Sequence, residues 1–190
     1  MKLFIYIALT ALASCVLSQT FKTFINVIVR KGKFKISNLV SDGSYPSSHT
    51  AFTSSVTMLS WIYTVYNFGV NGDAEIELWC SVILTVFLSI VIRDALGVRY
   101  TVQKLCVSVT KLAALYNQED EVKKILDVKS GHKPHEVLAG AVLGIIVGSV
   151  SSIIYYGLYK CLPYAVIAFV VYIVVSVIIV KKSVKEAAQS

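Results

Sequence analysis

The chain has three histidines, and each stands within three residues of a proline at the edge of an apolar run. His49 closes Tyr45-Pro46-Ser47-Ser48-His49, and His132 and His135 flank the proline of Gly131-His132-Lys133-Pro134-His135-Glu136. Proline suits the first turn of a helix, where its missing N–H costs nothing and the amides after it are unpaired donors. His49 therefore falls at a helix start where free N–H groups and the helix dipole favour an anion. In the second motif Glu136 follows His132 by four residues. A carboxylate there can accept one imidazole N–H, fix the tautomer and leave the other ring nitrogen as a nucleophile. A third polar segment, Arg93-Asp94-Ala95-Leu96-Gly97-Val98-Arg99, closes another apolar run. Two imidazoles, a carboxylate, fixed arginines and two helix starts suit phosphoryl transfer. One neutral imidazole attacks phosphorus, a protonated second one donates to the leaving oxygen, and guanidinium and backbone N–H groups hold the equatorial oxygens.

The elements that must position these groups follow from composition. Of 190 residues 56% are hydrophobic and 15% charged, with a mean hydropathy of +0.70. Soluble domains carry roughly 25% charge, so an ordinary soluble fold is excluded, as is disorder. Three prolines and four cysteines exclude proline-rich, collagen-like and disulfide-framework chains. What remains is an all-α polytopic membrane helix bundle. A span needs about 20 mostly apolar residues, and five stretches without an ionisable side chain qualify: Leu3–Phe21, Ala51–Phe68, Leu78–Ile92, Val137–Tyr159 and Leu162–Val180. The third is short and is expected to extend outward past Glu77.

Between those five transmembrane spans, 16 of the 18 basic residues fall on one side of the membrane. By the positive-inside rule that side is cytoplasmic, placing the N-terminus outside and the C-terminus inside. Lys22–Lys35 and Tyr100–Gln118 read as interfacial helices along the inner leaflet. The first twenty residues have a second reading, because Lys2, an apolar run and Leu12-Ala13-Ser14-Cys15 resemble a secretory signal with a lipid-attachment cysteine. Cys80 and Cys161 both fall near the outer surface; isolated thiols are commoner there than a bridge.

The histidine-bearing spans also carry stripes for helix contact. Glu136 is followed at four-residue steps by Gly140, Gly144 and Gly148, which admit a neighbouring helix and turn Glu136 toward the bundle interior. His49 is followed on one face by Thr53, Thr57, Ser60 and Thr64. The inner ends of three successive spans thus carry His49, then Arg93, Asp94 and Arg99, then His132, His135 and Glu136.

These residues resemble the divergent branch of the type 2 phosphatidic acid phosphatase superfamily, also described as acid phosphatase/vanadium-dependent haloperoxidase-related. The similarity runs from about Leu9 to Gly148. It includes Gln19 with Lys22, Pro46-Ser47-Ser48-His49-Thr50-Ala51, Asp94-Ala95-Leu96-Gly97-Val98-Arg99, Asn117, and Gly131-His132 with Pro134, Glu136, Val137, Gly140 and Gly144. The resemblance implies His49 as general acid, His132 as nucleophile and Glu136 as its orienting partner. Two features of the family pattern are missing: no Arg-Pro dipeptide occurs, and Leu126 stands where an arginine is expected six residues before the nucleophile. Phosphate-binding groups are then expected from Arg99, Arg93, Lys22 and Lys133 with Ser47 and Ser48, supported by Asp94.

Residues 1–160 accordingly read as a phosphatase-like membrane domain, and 161–190 as an added transmembrane helix with a basic tail. The expected function is hydrolysis of a lipid phosphate monoester at the cytoplasmic leaflet, with membrane lipid as partner, no nucleic acid, no cofactor and no metal. The alternative is a non-catalytic scaffold or lipid-binding protein that keeps the fold. A metal enzyme is disfavoured because Arg93, Arg99 and Lys133 would repel a cation near the candidate ligands. A transporter is disfavoured because the spans contain no ionisable residue.

Overall fold

A computed structural model of the chain describes residues 2–29, 45–116, 122 and 132–187. Among the described residues the architecture is carried by α1 (Lys2–Phe24), α2 (Ser48–Asn71), α3 (Glu75–Arg93), α4 (Arg99–Ala114), α5 (Pro134–Tyr156) and α6 (Leu162–Ala187). One π turn, Ile25–Val29, extends α1, and another, Asp94–Val98, joins α3 to α4; a short turn at Tyr159–Cys161 leads into α6. Among the described residues four stretches are long and apolar enough to cross a membrane: Leu3–Val27, Glu75–Ala114, Pro134–Tyr156 and Tyr159–Glu186. The all-α membrane bundle expected from composition is the fold observed.

The second expected span, α2, is long enough at 24 residues but more polar than the others. Its position explains this. α1, α3 and α5 all pack on it, and Thr50, Thr53, Ser54, Ser55, Thr57 and Thr64 are buried among them. Shielded from lipid, the hydroxyls bond back to their own helix, as Thr53 Oγ1 does to the His49 carbonyl (2.9 Å) and Thr57 Oγ1 to that of Thr53 (2.8 Å). Others cross to α3. Ser81 Oγ meets Ser60 Oγ at 2.7 Å and Thr64 Oγ1 at 2.8 Å, and Trp61 Nε1 donates to Thr85 Oγ1 at 2.9 Å. Ser81 is the one buried residue of α3, and exposed apolar side chains such as Ile76, Trp79, Ile83 and Phe87 give the helix a surface suited to lipid.

The glycine stripe docks α5 on α2. A Cβ at Gly140 would strike the Ser47 carbonyl oxygen; one at Gly144 would strike that of Ala51 and lie 2.7 Å from Ser54 Cβ; one at Gly148 would strike that of Ser55. Only hydrogen at these positions lets the two backbones meet. α2 ends at Gly72 and α5 at Gly157, both with φ near +70°, a conformation a side chain would strain.

Two sequence expectations need correction. Tyr100–Gln118 is not set apart as a helix of its own: α4 continues from α3 through the π turn without a loop, none of its residues is buried, and 117–118 lie outside the described residues. Lys22 does not open a basic surface helix but ends α1, where it is 4% exposed. The rest of Lys22–Lys35 beyond Val29, together with Ser41–Ser44, Asn117, Leu126 and Gly131, lies outside the described residues. Cys15, Cys80, Cys106 and Cys161 are free thiols.

Candidate active site

The two histidine motifs meet at the starts of α2 and α5. Ser47 caps α2: its backbone is extended and its Oγ accepts from the Thr50 amide at 3.4 Å. The Ser47 amide reaches across and donates to the Glu136 carbonyl at 2.9 Å. That main-chain bond holds the first turns of the two helices side by side and places both loops at one end of the bundle. The Ser48 and His49 amides in the first turn of α2 have no carbonyl four residues back within the helix, and such amides give a helix start its donor character.

A cavity of about 720 Å³ opens there. Its polar rim is Ser47, Ser48, His49, Asp94, Arg99 and His132, and its apolar wall includes Phe52, Phe87, Ile90 and Val91. His132 is 3% exposed, whereas His49 is open to the cavity mouth. Lys22 lies behind the rim, its Nζ donating to Ser48 Oγ at 3.2 Å. Arg99 Nε donates to Asp94 Oδ2 at 2.6 Å. Three loci separated by dozens of residues therefore line one concavity, with cationic groups of α1 and α4 on or behind its rim.

Glu136 is buried, and its Oε2 accepts from the Lys133 amide at 3.0 Å. The carboxylate thus caps its own helix, an N-terminal role that also places negative charge where the helix dipole favours it. This rigidifies the turn that carries His132.

Not every predicted residue joins the cavity. Arg93 and Lys133 are exposed and do not line it. Arg93 precedes Asp94 by one residue, a step of about 100° around the helix, and so points elsewhere. Lys133 gives its amide to Glu136 and turns its side chain outward. His135 belongs to a different neighbourhood. Its ring lies 6.1 Å from that of Tyr45, beside a second pocket of about 390 Å³ between α5 and α6. There the Tyr45 hydroxyl donates to Ser176 Oγ at 2.9 Å, and burial pushes the phenol above its ordinary range, so it stays neutral.

The apolar wall and Cys15 are additions to the expected site, whereas Gln19 and Lys22 of α1 belong to the residues that carry the family resemblance. Cys15 and Gln19 line it, and with Lys22 they recur at steps of four and three, one stripe of a helix. That spacing was the available signal. Among the described residues, no group of three His, Cys, Asp or Glu side chains is placed to hold a metal ion.

Helices fit to span a bilayer, with histidine-bearing helix starts joined at one end, define an integral membrane helix bundle. A family model described as "Divergent PAP2 family" matches residues 5–147, and the chain belongs to that family. It is also 30% identical over 150 residues to a protein of Bacillus subtilis (strain 168) called "Uncharacterized membrane protein YuiD", a match covering 73% of this chain and 88% of the relative. No solved structure matches. α6 lies beyond the segment that the family model matches.

Proposed function

We propose that the protein hydrolyses the phosphate monoester of a membrane lipid through a phosphohistidine intermediate. The observation that carries this reading is the Ser47 to Glu136 main-chain bond, which brings the His49 and His132 motifs to one cavity. His132 attacks phosphorus as the bond to the ester oxygen breaks, and His49, entering as imidazolium, gives its proton to the leaving alkoxide. Water then adds to phosphorus, His49 takes its proton, the P–N bond breaks and inorganic phosphate leaves. Ser48 and His49 amides, Lys22 and Arg99 supply the positive potential for the transferred oxygens, with Asp94 holding the Arg99 fork. Glu136 fixes the turn that presents His132. Residues 1–160 form the catalytic domain in this reading, and 161–190 an anchor. The charge bias of the loops turns the cavity to the cytoplasm.

The test is phosphate release by purified protein in nanodiscs from phosphatidic acid, phosphatidylglycerophosphate and polyprenyl phosphates. Activity lost in His132→Ala and His49→Ala supports the reading; no release above the His132→Ala background from any of them defeats it.

A second reading, a non-catalytic lipid-binding scaffold, is favoured by one observation. Arg99 is committed to Asp94, and Arg93 and Lys133 face away, so fewer cations surround His132 than the motif pattern demands. Under that reading His49→Ala and His132→Ala preserve the cellular phenotype while Gly144→Leu destroys it.

A further inference from the structure

We infer that the cavity continues as a lane for a single hydrocarbon chain, running over α2 between α1 and α3, and that the lipid phosphate is held along one leaflet's length of its tail. The inference rests on the lipid-phosphate reading of the site given above. A second opening, about 290 Å³, shares Phe52, Thr53 and Phe87 with the cavity and runs on to Phe4, Ala8 and Leu84. Both α1 and α3 pack on α2, and the opening lies in the trough they leave over it.

The helix faces are continuous from one opening to the other. On α1, Phe4, Ala8 and Ala11 lie on the same stripe as the cavity residues Cys15 and Gln19, at steps of four, three, four and four. On α3, Leu84 and Phe87 lie on the stripe of Val91 and Asp94. The outer part of the lane has no charged group, and its one hydroxyl, on Thr53, is already bonded to the His49 carbonyl. Alanines at 8 and 11 give it depth. From Leu84 to Asp94 the helix rises about 15 Å, half of a hydrocarbon core about 30 Å thick. A chain whose phosphate sits among Ser48, His49, Arg99 and His132 would therefore extend to about the bilayer midplane.

The experiment pairs two substrates with two lipid-facing tryptophans. Ala8→Trp fills the lane; Val166→Trp lies on the exposed face of α6 and controls for bulk. Ala8→Trp should lower kcat/KM about tenfold for an alkyl monophosphate whose tail spans one leaflet, the worth of roughly two lost methylene burials, and leave butyl monophosphate unchanged. Val166→Trp should change neither. Equal effects of Ala8→Trp on both substrates, or none on the long one, overturn the lane. A second measurement does not depend on turnover. The long monophosphate with a terminal diazirine is photolysed on His132→Ala protein in nanodiscs, and labelling should fall on Ala8, Ala11, Val56 or Leu84. Labelling spread over α6 overturns the lane. Labelling in the lane without phosphate release by the unsubstituted protein defeats the enzymatic reading and leaves the lane standing.

Discussion

The two faces of α5 are built on opposite principles. Toward α2 it presents Gly140, Gly144 and Gly148, and the helices touch backbone to backbone. Toward α6 it presents Leu138, Val142 and Ile146, and a pocket of about 390 Å³ remains between the side chains. The first face fixes a distance, because main-chain atoms have no rotamers to rearrange. The second can take up or lose volume by side-chain adjustment. The candidate site sits at the end of the first face, where position matters, and the helix beyond the family match is attached through the second.

Substitutions that add volume should separate the faces most sharply. Gly144→Leu drives a side chain into the Ala51 carbonyl, Ser54 and Ser55, and should exceed the usual overpacking cost of about 1–3 kcal/mol. The expected outcome is loss of the folded protein, measured as monodisperse yield and melting in detergent. If Gly144→Leu melts like the parent, the close approach is not what holds α2 to α5. Next in size is Ser81→Val, which removes the hydroxyl shared by Ser60 and Thr64. Hydrogen bonds between membrane helices average about 0.6 kcal/mol, so a loss of about 1–2 kcal/mol is expected from the melting midpoint. Tyr45→Phe on the adaptable side breaks the bond to Ser176 and should cost about 1 kcal/mol. Ala168→Leu, facing the pocket between α5 and α6, should be the mildest, within about 1 kcal/mol of the parent because the added methylenes enter existing space. A larger loss for Ala168→Leu than for Gly144→Leu would reverse the comparison.

The sequence made the rigid face legible because its signal is strictly local. Four-residue steps of glycine after Glu136 state both which side of α5 is buried and that the partner is a backbone. The common level of His49 and His132 was legible from the proline-marked helix starts. His135 was harder to place, since depth and direction are separate questions. It shares the level of His132 but heads the stripe of Leu138, Val142 and Ile146, and that stripe faces α6. The helix that carries Lys22 was misplaced for a related reason: a basic residue after an apolar run reads as the start of a surface segment, whereas its bond to Ser48, twenty-six residues on, turns it inward at the end of α1. The unbroken passage from α3 to α4 was hidden because the polar segment Arg93–Arg99 reads like a loop while its backbone stays helical. Polar α2 illustrates the same limit. Hydropathy measures what a helix offers to lipid, and α2 offers most of its surface to other helices.

The bridge from the Ser47 amide to the Glu136 carbonyl contains no side-chain atom. Replacing the Ser47 or Glu136 side chain does not remove it, proline at 47 excepted, so the reactive and charged groups around it can be exchanged as long as the glycine contact between α2 and α5 is kept. A lineage built on such a joint is free to alter or abandon its chemistry without first losing its architecture.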